Sequence, residues 1–162
     1  MKKIRQSFSY TVHDSAEELG SADRELLSFA SDSAGSAYAP YSHFHVGAAI
    51  RLKSGKIVTG NNQENMAFPS GLCAERVALF AAASGFPGDP VKAIAVTART
   101  SKFKVKKPVP PCGACRQALI EYEMKNRSSI RMILRGETGK IWVISSVASL
   151  LPLSFREDGL LD

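Results

Sequence analysis

Apolar and polar positions along the chain switch between two periods, one typical of strands and one of helices. Residues 44–52 and 56–60 read as two strands joined through Lys53-Ser54-Gly55, a hairpin signal. Residues 91–98, 130–134 and 140–144 are further strand segments, the last two set around Gly136-Glu137-Thr138-Gly139. Helical spacing marks 21–36, with Leu26, Leu27 and Ala30 on an inner face, Asp23 and Glu25 in the first turn and Ser21 as N-cap. A second helix is predicted over 74–84, where alanines accompany Val77, Leu79 and Phe80 until Gly85 stops it. A third, 113–125, follows Pro108, Pro110 and Pro111, which cannot sit in a helix interior. A short strand is expected near 8–12 and a short closing helix at 146–151, ended by Pro152. Residues 61–72 form an irregular polar loop, the kind of segment that carries function on a rigid scaffold. Strands alternating with helices predict a layered α/β sheet protein.

The 162 residues fit one domain over 1–162, with 1–20 as a polar N-terminal extension. Hydrophobic residues make up 44% and charged residues 22%, an ordinary globular balance. No apolar run approaches the ~20 residues of a transmembrane helix, so no membrane partner is expected. Lys2, Lys3 and Arg5 lead into Gln6-Ser7-Phe8-Ser9-Tyr10 rather than an apolar segment, which speaks against a secretory signal. Three cysteines, an odd count, make no disulfide framework, and free thiols suit a reducing cytoplasm. The net charge of +6 raises the question of nucleic acid. The charge is scattered, however, and Lys102-Phe103-Lys104-Val105-Lys106-Lys107 reads as a half-buried strand with one solvated face. No interleaving of aromatic and basic residues resembles a single-strand groove, so no nucleic-acid partner is expected.

The three cysteines change the picture. Cys73 stands in Cys73-Ala74-Glu75-Arg76, and Cys112 and Cys115 in Pro111-Cys112-Gly113-Ala114-Cys115. Each lies at or beside a predicted helix start, where exposed N–H groups and the helix dipole stabilise a thiolate. Three thiolates and a carboxylate, Glu75, suit a catalytic zinc, which keeps one position open for water; a structural zinc is closed by four protein ligands. Three thiolates leave the zinc site with a net charge of −1, which Arg76 is placed to offset by hydrogen-bonding cysteine sulfur. Cys112-Gly113-Ala114-Cys115 taken alone is also a redox dithiol pattern. A structural zinc would need a fourth ligand, His43 or His45, both expected on one face of a strand with Phe44 on the other.

Together these residues resemble the small zinc-dependent cytidine deaminases of nucleoside salvage, over about residues 26–155. The resemblance rests on Tyr38-Ala39-Pro40-Tyr41-Ser42-His43-Phe44-His45-Val46-Gly47-Ala48-Ala49, Gly60-Asn61-Asn62-Gln63-Glu64-Asn65, Cys73-Ala74-Glu75-Arg76 and Pro111-Cys112-Gly113-Ala114-Cys115-Arg116-Gln117. It implies an α/β/α sandwich with a five-stranded mixed sheet, one zinc per chain held by Cys73, Cys112 and Cys115, and Glu75 as proton shuttle. It implies that the Ala74 N–H faces the reacting ring, that Asn62 and Glu64 grip the ribose 3′-hydroxyl, and that Phe44 flanks the pyrimidine. It further implies a homotetramer in which Phe155 is lent to a neighbouring subunit's site. Met66-Ala67-Phe68 departs from the family's usual small residues followed by tyrosine, which bears on pocket shape.

The implied reaction is hydrolytic deamination of cytidine and deoxycytidine at C4, by zinc-bound hydroxide with Glu75 moving the protons. A carboxylate at the 3′-position would repel a 3′-phosphate, which favours a free nucleoside over a polynucleotide. The rivals are a zinc deaminase of a modified cytidine or other amino-pyrimidine, a thiol–disulfide oxidoreductase, and a non-catalytic zinc-stabilised module.

Overall fold

The computed structural model describes residues 1–157. Its frame is one mixed sheet of six strands: β1 (Thr11–His13), β2 (Phe44–Leu52), β3 (Ile57–Asn61), β4 (Val91–Thr100), β5 (Arg131–Arg135) and β6 (Ile141–Ile144), in the order β1-β6-β5-β4-β2-β3. The three long helices are α1 (Ser21–Ser33), α2 (Ala74–Gly85) and α3 (Gly113–Asn126). Alternate residues of each strand serve opposite faces. Ala48, Ile50, Ile94, Val96, Met132 and Leu134 pack with Ala78 and Leu79 of α2 and Leu119 and Ile120 of α3. Ala49, Ala93, Ala95 and Ile133, their neighbours in sequence, pack instead with Leu26, Leu27 and Ala30 of α1. The helices therefore cover both faces, as the α/β/α sandwich requires. Each large aliphatic side chain fully buried in these layers contributes about 1.5–3 kcal/mol.

β4 and β5 run parallel, and β3 and β4 are both antiparallel to β2, so β3, β4 and β5 point the same way. The chain crosses from β3 to β4 through α2 and from β4 to β5 through α3. This brings the starts of α2 and α3 to one end of the sheet, where folds of this kind build their sites. α2 also sits unusually close. A Cβ on Gly60 of β3 would lie 2.4 Å from the Ala78 backbone nitrogen, so only glycine permits this approach.

Several expectations are corrected. The sheet has six strands, not five, because the N-terminal segment pairs antiparallel with β6, Val12 opposite Trp142. Tyr10 anchors it against the Trp142 ring at 5.1 Å. The strand expected near 8–12 therefore falls at Thr11–His13, set by its partner's register. Ser21 is the first residue of α1 and Gly20 its cap, while the last turn of the expected 21–36 helix tightens to a 3-10 turn, Ala34–Ser36. The strand expected at 56–60 runs from Ile57 to Asn61, and β4 extends two residues further, to Thr100. The closing helix at 146–151 is a 3-10 turn, Val147–Leu150.

The lysine-rich segment 102–107 is not a strand. β2 begins at Phe44, opposite Thr100, so the chain beyond Thr100 has no strand to pair with on that side. Val105 is its buried anchor, its carbonyl accepting from the Thr138 N–H at 3.2 Å. Lys104 pairs with Glu137, Lys102 Nζ donates to the Ser42 carbonyl at 3.3 Å, and Lys106 and Lys107 are exposed.

Candidate metal centre and substrate cavity

Cys73 is the N-cap of α2, Cys112 is the N-cap of α3, and Cys115 is the third residue of α3. Their sulfurs converge. Cys73 Sγ lies 3.8 Å from Cys112 Sγ, Cys112 Sγ lies 3.5 Å from Cys115 Sγ, and all three sulfurs fall within 4.8 Å of one another. Tetrahedral zinc with Zn–S near 2.3 Å sets its sulfurs about 3.8 Å apart, so the three thiols fit that ion. Among the described residues this is the one cluster with metal-ligand geometry, and no histidine belongs to it. His43 does not stand on the strand as expected. Its φ of 57° places it in the turn before β2, exposed, while His45 lies half-buried on β2.

The electrostatics favour a thiolate at Cys73. Cys73 is pulled down to about 5, first by a hydrogen bond from the Cys115 thiol, then by Arg76 and Cys112. Cys115 is pushed up because it donates that bond and is buried. Arg76 Nη2 lies 3.9 Å from Cys73 Sγ, and its Nε is buried with no partner among the described residues, a cation left to face the sulfur cluster. Glu75, in the first turn of α2, is 5% exposed. Burial raises its carboxyl above the usual range, and the Cys73 charge adds to the rise. Ala74 is buried at the first position of α2, where a backbone N–H has no intrahelical acceptor.

A cavity of about 340 Å³ opens beside Cys73, lined among others by Tyr41, Asn62, Glu64, Phe68 and Leu72. Its wall is the 61–72 loop, closed by paired bonds between Gln63 and Leu72, each 2.9 Å. The Glu64 carboxylate accepts from the N–H groups of Tyr41 (2.9 Å) and Ser42 (3.3 Å) and from the Ser42 hydroxyl. An ionised carboxylate has about four acceptor sites, so one remains for an incoming hydroxyl. These bonds, the Ser42 hydroxyl first, hold Glu64 below the usual carboxylate range. Asn62 is committed to the scaffold: its Oδ1 accepts from the Val46 N–H at 2.7 Å and its Nδ2 donates to the Phe44 carbonyl at 2.9 Å. One N–H of its amide is left over.

Phe44 lies half-buried at the start of β2, outside that cavity lining. Phe155 also lies outside it, with its ring exposed. Tyr41, Ser42, Leu72 and Gln117 were not singled out as site residues from the sequence. Tyr41, Ser42 and Gln117 lie inside the motifs that carry the family resemblance, and Leu72 directly precedes Cys73. The Tyr41 ring meets Phe68 edge-on at 5.8 Å, making a wall of the cavity.

Residues 21–129, which include all three cysteines and Glu75, match the model of the cytidine and deoxycytidylate deaminase zinc-binding region. A cytidine deaminase from Halalkalibacterium halodurans is 43% identical over 126 residues, 78% of this chain and 88% of that protein. A blasticidin-S deaminase from Bacillus cereus is 30% identical over 138 residues, 84% of this chain and 94% of that protein. The crystal structure of cytidine deaminase from Burkholderia pseudomallei superposes with a TM-score of 0.70 at 39% identity, covering 81% of this chain and 97% of that one. With three thiols in zinc geometry beside a buried glutamate, and this likeness across most of its length, the chain belongs to the cytidine deaminase family.

Proposed function

We propose that the protein hydrolyses the C4 amine of cytidine and deoxycytidine, giving uridine and deoxyuridine with release of ammonia. Cys73, Cys112 and Cys115 would hold one zinc ion, which supplies a Lewis acid and a water acidified toward neutral pH. Glu75 takes a proton from the attacking water and delivers it to N3, making C4 electrophilic. Once the C4–O bond has formed, Glu75 takes the second proton from the new C4 hydroxyl and gives it to the exocyclic nitrogen; the C4–N bond breaks, ammonia leaves and C4 becomes the carbonyl of the uracil ring. Its raised proton affinity suits both transfers. The Ala74 N–H faces the reacting ring, and Phe44 flanks the pyrimidine.

Glu64 accepts the ribose 3′-hydroxyl at its remaining site, and Asn62 donates its spare N–H there. A 3′-phosphate would meet the Glu64 carboxylate directly, which argues for a free nucleoside. Phe155 serves a neighbouring subunit's site within a homotetramer, and the setting is cytoplasmic pyrimidine salvage. The observation that carries the proposal is the buried Glu75 carboxyl beside three converging sulfurs.

The test is ultraviolet-monitored turnover of cytidine and deoxycytidine with zinc measured on the same sample. Turnover lost on zinc removal and restored by zinc supports the proposal. One zinc per chain with neither nucleoside turned over sinks the substrate assignment and moves the search to substituted cytosines, with Met66 and Phe68 the first residues to exchange. Both are exposed, and Phe68 stands on the cavity wall.

A further inference from the structure

The segment that leads to Phe155 is pinned at three points, each by a side chain of α3. The buried carboxylate of Glu123 accepts from the N–H groups of Val147 (3.1 Å) and Ala148 (3.0 Å), so the turn Val147–Leu150 starts on it. Arg116 Nη1 donates to the Leu150 carbonyl at 2.8 Å. Gln117 then engages Phe155 at both ends of its amide. Its Nε2 donates to the Phe155 carbonyl at 3.0 Å, and its Oε1 accepts from the Phe155 N–H at 3.1 Å. One side chain thus satisfies both backbone groups of one residue, as a partner strand would.

Among the described residues, nothing outside the tail except Gln117 hydrogen-bonds residues 152–155. Leu153 is exposed with φ of 57°, so the chain turns there without packing to hold it. Phe155 is 72% exposed, and the two bonds from Gln117 fix the backbone from which its ring projects.

We propose that Gln117 is a positioning residue that presents the Phe155 ring to a neighbouring subunit's substrate site. The inference rests on the proposed role of Phe155. Gln117 lies two residues beyond Cys115, so the helix that offers two of the three thiols also sets the tail. A ring held in place before substrate arrives does not have to be ordered on binding, and such preorganisation appears as affinity rather than as chemistry.

The test uses the full-length, zinc-loaded protein. Gln117→Met keeps the side-chain volume and removes both bonds; it is compared with Phe155→Ala and with the double variant. Each single change is expected to raise KM for cytidine by about five- to tenfold, with kcat within about twofold and zinc content unchanged. The double variant should be no worse than Phe155→Ala, because Gln117 acts only through that ring. A wild-type KM for Gln117→Met beside an impaired Phe155→Ala overturns the clamp and leaves the ring's role standing. A wild-type KM for Phe155→Ala overturns both. Effects that multiply in the double variant also overturn the proposal. If Gln117→Met loses zinc, Gln117→Glu takes its place; it keeps the bond from the Phe155 N–H, loses the one to the carbonyl, and must raise KM for the proposal to stand.

Discussion

The Glu64 carboxylate binds Ser42 twice, through the serine hydroxyl and through its backbone N–H, across 22 residues of sequence. The pair ties the start of β2 to the loop that walls the cavity. It also keeps Glu64 ionised below the usual carboxylate range, the hydroxyl bond being the largest cause.

A depressed folded-state value means that ionised Glu64 favours the folded, ligand-ready state above its unfolded value. That contribution is lost as pH falls through the folded one. KM for cytidine should therefore stay flat through the ordinary glutamate range and rise only below it. In Ser42→Ala the rise should begin at higher pH. A pH series of KM in both proteins checks this, and superimposable acid limbs would contradict it.

Glu75→Gln leaves the three sulfurs in place and removes the proposed proton carrier. Zinc content should remain near one per chain while kcat falls by roughly 10²–10⁴-fold. Metal analysis and turnover on one preparation decide the matter. Full zinc with a near-normal rate would remove Glu75 from the chemistry.

Cys115 is buried, whereas Cys112 is exposed. Cys115→Ala deletes a sulfur that no solvent ligand can easily replace, so zinc should be lost and the protein should become insensitive to chelators. In the unaltered protein, chelation should lower Tm, since a metal bound only to the folded state stabilises it by mass action. Thermal melts with and without chelator compare the two directly. A chelator-induced shift that persists in Cys115→Ala would count against the thiol cluster as the site.

Glu123 is an acceptor for four groups: the Ile130 N–H at 2.6 Å, the Ser146 hydroxyl, and the N–H groups of Val147 and Ala148. Gln at this position keeps the shape but turns one oxygen into a donor facing donors. Glu123→Gln should cost about 1–3 kcal/mol of stability, the penalty for a buried donor left unpaired. Urea denaturation measures it, and an unchanged midpoint would show that the site rearranges freely.

How far each feature could be read in advance follows the range of the forces behind it. The short, largely apolar runs of β2 and β4 and the alanine-rich pattern of α2 report local burial, and they located those elements to within a residue or two. The motifs around Cys73, Glu75 and Cys112 named the zinc-deaminase family, because that chemistry demands particular residues at particular spacings. Where partners lie far apart in the chain, local pattern carries no such signal. The segment at 102–107 alternates like a strand, yet β2 begins at Phe44 opposite Thr100 and offers no strand beside the segment. Thr11–His13 makes a sixth strand because the edge of β6 and the Trp142 ring are there to receive it. Cys73 and Cys112 are 39 residues apart, and their 3.8 Å approach depends on β3, β4 and β5 running the same way, with glycine at position 60 letting α2 lie close against β3. The clamp of Gln117 on Phe155 is likewise a product of packing. Spacing of 38 residues says nothing of it until α3 and the tail have been laid side by side.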